Sequence, residues 1–193
     1  YHLDPDWQKV WPVESVARLQ PLALEVSGDK ILQEVYQLPS EQHLLDHKEL
    51  SVYFGYQKQM PNTVHEIARL REMVFREHNE GSGEPLDTDH FDATYTHLFV
   101  IKKSTGQIIG AYRMGQTDKL LADGNLENLY LHRMFDFGPN FVNRQQPCLE
   151  MGRSFLIPEY QRSFQGLLLL WRGIGAFVCQ YPQYRTLYGT VSI

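Results

Sequence analysis

Residues 149–177 read LEMGRSFLIPEYQRSFQGLLLLWRGIGAF: an apolar strand, a loop and an apolar helix in succession. The strand carries two charges, Glu150 and Arg153, and charges on an apolar strand are costly unless they are paired or used. In a regular strand, side chains alternate, so residues three apart point to opposite faces. Gly152 stands between them, and an isolated glycine in a strand marks a bulge or a close backbone approach. A kink at Gly152 predicts that Glu150 and Arg153 come to one side and that backbone N–H groups leave the ladder to meet a ligand. The competing reading is a structural ion pair at a sheet edge. The loop presents N–H groups and the positive end of a helix dipole, which suit a phosphate, with Arg162 as a charged contact. Neither G-x-G-x-x-G nor G-x-x-x-x-G-K-[ST] occurs in the chain, so the common nucleotide-binding loops do not apply.

Upstream, LSVYFGYQ alternates well enough for a strand. In MPNTVHEIARLREMVFREHN, Thr63 and Glu66 have the spacing of a capping box behind Pro61, and Ile67, Leu70 and Val74 recur at helical spacing. A glycine-bearing polar stretch, NEGSGEPLDTDHFD, ends that helix, and THLFVIKKSTGQIIGAYRMG reads as a hairpin turning at residues 104–106. A last strand is expected in YRTLYGTVSI. The order helix, hairpin, strand, helix, strand makes a mixed α/β domain over residues 51–193. Residues 1–50 read as an N-terminal extension or linker, with one helix in GDKILQEVYQLP and another begun by Ser40 in SEQHLLDHKE.

A chain of 193 residues, 42% hydrophobic, has room for one sizeable core. No apolar run approaches the roughly 20 residues needed to cross a bilayer, and YHLDPDWQKVW lacks the layout of a signal peptide. The opening Tyr and the ending on TVSI suggest a piece of a longer protein. Two cysteines, Cys148 and Cys179, are too few for a disulfide scaffold and lack zinc-site spacing, which fits a reducing, cytoplasmic setting. The net charge of −5 conceals an asymmetry: residues 1–100 hold 8 Lys/Arg against 17 Asp/Glu, and residues 101–193 hold 10 against 6. Such a chain is a poor nucleic-acid partner. Its basic half suits a phosphorylated cofactor or an acidic carrier protein, if it is more than an uneven solvated surface.

Three carboxylates, Asp87, Asp89 and Asp92, crowd LDTDHFD. Phe91 stands where a calcium loop needs an oxygen ligand, so the choice lies between binding a cationic group and an N-capped, solvated acidic loop. No metal site is expected. His90 and His97 fall outside any metal-ligand frame and receive no role. Ser154 lacks the G-x-S-x-G elbow of a hydrolase nucleophile. Arg113 sits in the otherwise apolar IIGAYRM and needs an anionic partner, with Asp89 and Asp92 as candidates. Arg71 and Phe75 lie one turn apart on the central helix.

Taken together, RLREMVFRE, DTDHFD, IIGAYRMG and LEMGRSFLIPEYQRS…LLLLWRGI resemble the hemolysin-like lipid acyltransferases. Those are relatives of the ornithine-lipid and glycine-lipid N-acyltransferases of the GNAT-like superfamily. The resemblance spans about residues 15–193, with RLQPL and LYGTVSI at its ends. A more distant likeness is to the acyl-homoserine-lactone synthases, whose ordered pattern is matched by Arg71 and Phe75, Asp89 and Asp92, Arg113, and Glu150 and Arg153. The resemblance implies a GNAT-like, mostly antiparallel sheet flanked by helices, with a helical N-terminal extension. It implies amide formation by direct transfer from a thioester of acyl carrier protein, or acyl-CoA, to an amino acid or amino lipid, with no cofactor held permanently.

In that frame Glu150 takes the amine's proton and N–H groups at Gly152 hold the oxyanion. Arg153 and Arg113 order the acidic loop and grip the acceptor's carboxylate, and Asp89 and Asp92 meet its ammonium or complete the ion pairs. Phe135, Phe155 and residues 167–171 line an acyl groove, unless they are ordinary core. The superfamily's phosphopantetheine loop is degenerate here, running from Arg162 to Gly166, which favours the carrier protein over CoA as donor. The protein is then expected in the cytoplasm, in part peripheral on the inner face of the membrane. The competing classes are a non-catalytic acyl-chain or lipid-binding module, with residues 167–177 facing a membrane, and a lactone-type signal synthase.

Overall fold

The computed structural model of the chain describes residues 19–137, 146–162 and 164–190. YHLDPDWQKVW, Arg18 of RLQPL, Ser163 and the closing VSI lie outside them. Six strands cross a single sheet in chain order: β1 His43–His47, β2 Leu50–Gly55, β3 Thr96–Lys102, β4 Ile108–Gln116, β5 Cys148–Leu156 and β6 Thr186–Gly189. The first four junctions are antiparallel and the β5–β6 junction is parallel. A parallel neighbour needs a crossover. It is supplied by the short α4, Pro158–Gln161, and then α5, Phe164–Gln180. The remaining helices are α1 Gly28–Val35, α2 Pro61–Glu77 and α3 Thr117–Leu120. This is the mixed, mostly antiparallel sheet flanked by helices that the resemblance implies.

Helices cover both faces, which is why β2 is buried along its whole length instead of alternating. Residues 52, 54 and 98 share one face. There a Cβ on Gly173 of α5 would meet Val52 Cγ1 at 2.6 Å, and Phe54 meets the Phe177 ring edge-on at 5.0 Å. Only a residue without a side chain lets α5 come that close to the sheet. His97 and Arg113, cross-strand partners, face the other way, toward Arg71 of α2 by way of Asp92. The core joins α1, through Ile31 and Val35, to the sheet and both long helices. Each fully buried Val, Leu, Ile or Phe side chain contributes roughly 1.5–3 kcal/mol.

Two local expectations are corrected. The helix expected from Ser40 is a 3₁₀ turn, Ser40–Gln42, followed by strand β1. β1 hairpins onto β2 through Lys48 and Glu49, and cross-strand pairing outweighs a weak helical pattern. The capping box at Thr63 and Glu66 does not form. Instead the Glu34 carboxylate of α1 accepts from the N–H groups of Asn62 and Thr63 at 2.9 and 2.8 Å, placing a negative charge at the N-terminus of α2. Glu66 accepts from the Val26 N–H at 3.0 Å and pairs with Arg69 at 2.6 Å.

Candidate active site

Strands β5 and β6 pair only from Cys148 and Thr186 to Met151 and Gly189. Beyond that point β5 continues to Leu156 alone, and the gap beside it is part of a cleft of about 940 Å³. Its walls come from β5 itself, from Phe75 of α2, Trp171 of α5 and Tyr188 of β6. A sheet that opens along a parallel junction thus gives an apolar slot with polar groups at its base, the usual form of a small-molecule site.

At that base lies Glu150, 2% exposed. Its Oε1 accepts from the Tyr95 hydroxyl at 3.1 Å and the Leu131 backbone N–H at 3.0 Å. Its Oε2 accepts from the Tyr188 hydroxyl at 3.1 Å. Burial raises the carboxyl above the ordinary 4.5, and those three donors and the Arg113 charge oppose the rise. Burial and the adjacent carboxylate drive both tyrosines upward too, so they stay protonated and keep donating. The result is a carboxylate that is held in place, partly desolvated and open to the cleft, the properties of a general base.

The kink in β5 is present, one residue later than the sequence suggests. Ala111 pairs with Phe155 and Arg113 with Gly152, so Arg153 and Ser154 together stand opposite Tyr112, the two-against-one arrangement of a bulge. Arg153 takes the left-handed backbone, φ 51°, and Gly152 does not. A Cβ on Gly152 would meet nothing within 4 Å, so what the missing side chain leaves there is open space beside the cleft.

Glu150 and Arg153 are partners of other groups, not of each other. Arg153 donates to both Asp87 carboxylate oxygens at 3.0 and 3.1 Å and lies 3.7 Å from Asp89. Arg71 meets Asp87 at 2.6 Å and Asp92 at 3.1 Å, and its Nη2 donates to the Asp87 carbonyl. Arg113 reaches Asp89 at 2.5 Å and Asp92 at 3.1 Å, beneath the rings of Phe91, Tyr95 and Tyr130. Three arginines from α2, β4 and β5 thus match three aspartates from one loop. Asp89 and Asp92 also cap the 3₁₀ turn His90–Ala93 reciprocally. Burial alone would raise the Asp92 carboxyl, but Arg71 and Arg113 bring it down to about 2. Asp92 and Arg71 are almost fully enclosed, whereas Arg153 lines the cleft and its Nε has no hydrogen-bond partner among the described residues.

Phe75 and Phe155 line the cleft, and of residues 167–171, expected along an acyl groove, Trp171 alone does. Leu167 and Leu168 face outward and Leu169 and Leu170 are core, while Phe135 is half exposed and lies outside the lining. Arg162 is exposed, and Gly166 is buried where a Cβ would stand 3.0 Å from Leu156. Neither of those two lines the cleft.

Sequence reasoning passed over Tyr95, Tyr188, the Leu131 N–H and the individual role of Asp87, none of which carries a spacing signal. It also left His97 without a role. Its buried ring donates from Nε2 to the Asp92 carbonyl at 2.9 Å, and burial depresses it from 6.5 to about 4. Folded His97 therefore stays neutral where the unfolded chain takes up a proton, so stability is lost as pH falls from 6.5 toward 4, by about 3 kcal/mol. Denaturant titrations at pH 7, 5.5 and 4.5 should show this loss in the wild type and a flatter profile in His97→Gln, which keeps a donor near the same carbonyl.

Residues 70–172, more than half of the chain, match the family model described as acetyltransferase (GNAT) domain. The chain is 32% identical over 153 residues to the glycine N(alpha)-acyltransferase of Bacteroides thetaiotaomicron, covering 74% of this chain and 45% of that protein. It is 30% identical over 183 residues to the glycine N(alpha)-acyltransferase of Phocaeicola vulgatus, covering 89% and 53%. The chain spans about half the length of these curated relatives. Among solved structures, the AHL synthase LasI superposes with a TM-score of 0.50 at 19% identity, covering 72% of this chain and 71% of that one, a likeness of fold. A mixed sheet that parts at its parallel junction, and a family model matched over more than half of the residues, lead to one assignment: the chain belongs to the GNAT acetyltransferase domain family.

Proposed function

We propose that the protein transfers a fatty acyl group directly from a phosphopantetheine thioester to the amine of an amino acid or amino lipid. The observation that carries this reading is the buried, tyrosine-held Glu150 carboxylate at the base of a cleft roomy enough, at about 940 Å³, for an extended thioester. Glu150, directly or through one water, takes a proton from the incoming ammonium. The neutral nitrogen attacks the thioester carbonyl, the C–N bond forms, and the C–S bond breaks as the thiol leaves with a proton. Backbone N–H groups at the Arg153–Ser154 bulge, where the pairing with β4 slips by one residue, would stabilise the oxyanion. Arg153, whose side chain is partly exposed and lines the cleft, suits the acceptor's carboxylate.

Acyl carrier protein is the preferred donor, because residues 162–166 lack the glycine pattern that would cradle CoA's phosphates. The name borne by the two curated relatives makes glycine the first acceptor to test. The setting is the cytoplasm, where Cys148 and Cys179 stay reduced.

The test is incubation with acyl carrier protein or CoA thioesters and a panel of amino acids, reading thiol release and product mass. An N-acyl amino acid supports the reading. Thioester hydrolysis without amide, a lactone product, or a stable acyl adduct on Cys148, Cys179 or Ser154 would replace it.

A further inference from the structure

Helix α5 is apolar on both sides. Its inner face, with Leu169, Leu170, Gly173, Ile174 and Phe177, packs into the molecule. Its outer face carries Phe164, Leu167, Leu168 and Trp171 at 88%, 44%, 50% and 56% exposure. At 100° per residue those four side chains fall on one stripe covering the first two turns. A helix on a protein surface normally turns charge outward there, and a contiguous patch of four large apolar side chains marks an interaction surface. The helix is not a membrane span, since no helix of the described residues is long and apolar enough to cross a bilayer.

Charge and position select the occupant. Between residues 158 and 185 the chain has one carboxylate, Glu159, against Arg162, Arg172 and Arg185. All three arginines are exposed, and none makes an ion pair among the described residues. Arg172 borders the stripe directly, one turn after Leu168. An apolar stripe of Phe, Leu and Trp edged by arginine is the composition of a surface that lies in the boundary of an anionic bilayer. Trp171 belongs at once to the patch and to the cleft wall, where Leu187 of β6, 37% exposed, also lies. A second protein copy seated on this stripe would cover that side of the cleft mouth with a rigid surface. A fluid leaflet would instead receive an acyl chain leaving it.

We propose that the outer face of α5, with Arg172 at its edge, docks the protein onto an anionic lipid surface with the cleft mouth at the membrane boundary. The docking stands on the exposed residues alone. Its purpose, releasing an acylated product into the leaflet, rests on the acyl-transfer reading.

The experiment is flotation of the full chain with vesicles of phosphatidylcholine alone or with 30% phosphatidylglycerol, chosen for a probe of about one third anionic lipid. Binding is expected to the anionic vesicles, to weaken as salt is raised, and to fall at least tenfold in the double variant Phe164→Ser, Leu168→Ser. Both side chains are exposed and neither lines the cleft, so that variant should keep wild-type turnover on water-soluble substrates. Absence of vesicle binding, binding that the double variant leaves unchanged, or a wild-type dimer in solution that the double variant dissociates would overturn the proposal. Because flotation needs no turnover, it can fail while amide formation persists, and the reverse.

Discussion

Glu150→Gln is expected to lower kcat by roughly 10²–10⁴-fold, the usual contribution of a positioned base, with the fold intact. The amide keeps the volume of the carboxylate. Its oxygen can accept from the Leu131 N–H and the Tyr95 hydroxyl, and its NH₂ can turn to the Tyr188 oxygen, which then accepts. Stability should not fall at neutral pH. Burial lifts the Glu150 carboxyl above 4.5, so its ionised form costs stability above that raised value, and the neutral amide removes the cost. In the wild type, kcat should decline as pH drops through the raised value, because a protonated acid cannot take up the amine's proton. That acid limb should vanish from the residual rate of the variant. Turnover and denaturation measured on the same preparations separate the outcomes: full activity in Glu150→Gln removes the carboxylate from proton transfer, whereas a lower midpoint would mean that it was holding the fold.

Asp92→Asn should cost about 3–5 kcal/mol, the range for removing one partner from a buried charge pair. At roughly 2–4 °C per kcal/mol for a chain of this size, the melting point should drop by about 10 °C. The carboxylate neutralises Arg71 and Arg113, both almost fully enclosed, and an amide leaves those guanidiniums competing for Asp87 and Asp89. The same charges fix the acid limb of stability. Asp92 is held at about 2 against an ordinary 3.8. Its contribution, about 2 kcal/mol, is complete above 3.8 and lost as pH falls through 2. The variant should lack that limb, and thermal melts at pH 7 and across pH 4 to 2 show both effects. A loss under 1 kcal/mol would mean that solvent reaches the cluster and screens it.

Much of the fold was legible because the signals were local. Ile67, Leu70 and Val74 repeat at helical spacing within α2, and the hairpin of β3 and β4 turns where its polar residues stand. The acidic loop and its arginines could be picked out because a charge in an apolar run requires a partner. What could not be read was which partner. Arg113 does meet Asp89 and Asp92, but Arg153 belongs to Asp87, 66 residues away. The N-terminus of α2 is capped by Glu34 from α1 and not by its own Thr63 and Glu66, because a carboxylate brought in by packing satisfies the same N–H groups. The residues that hold Glu150, Tyr95 and Tyr188, lie 55 and 38 positions from it, beyond the reach of any spacing rule.

By itself, then, the sequence determined the succession of the long helices and of strands β2 to β6, the presence of two charges in β5 and the apolar character of most of α5, since all of these follow from the order of polar and apolar residues along a few turns or pleats; strand β1 it did not. The tertiary structure alone decided that Arg153 rather than Gly152 takes the left-handed backbone, that Glu150 is gripped by two tyrosines, and that one face of α5 stays uncovered. Those outcomes depend on which distant groups share a desolvated space, and the energy of a buried charge or an exposed apolar face is set by such neighbours and not by position in the chain.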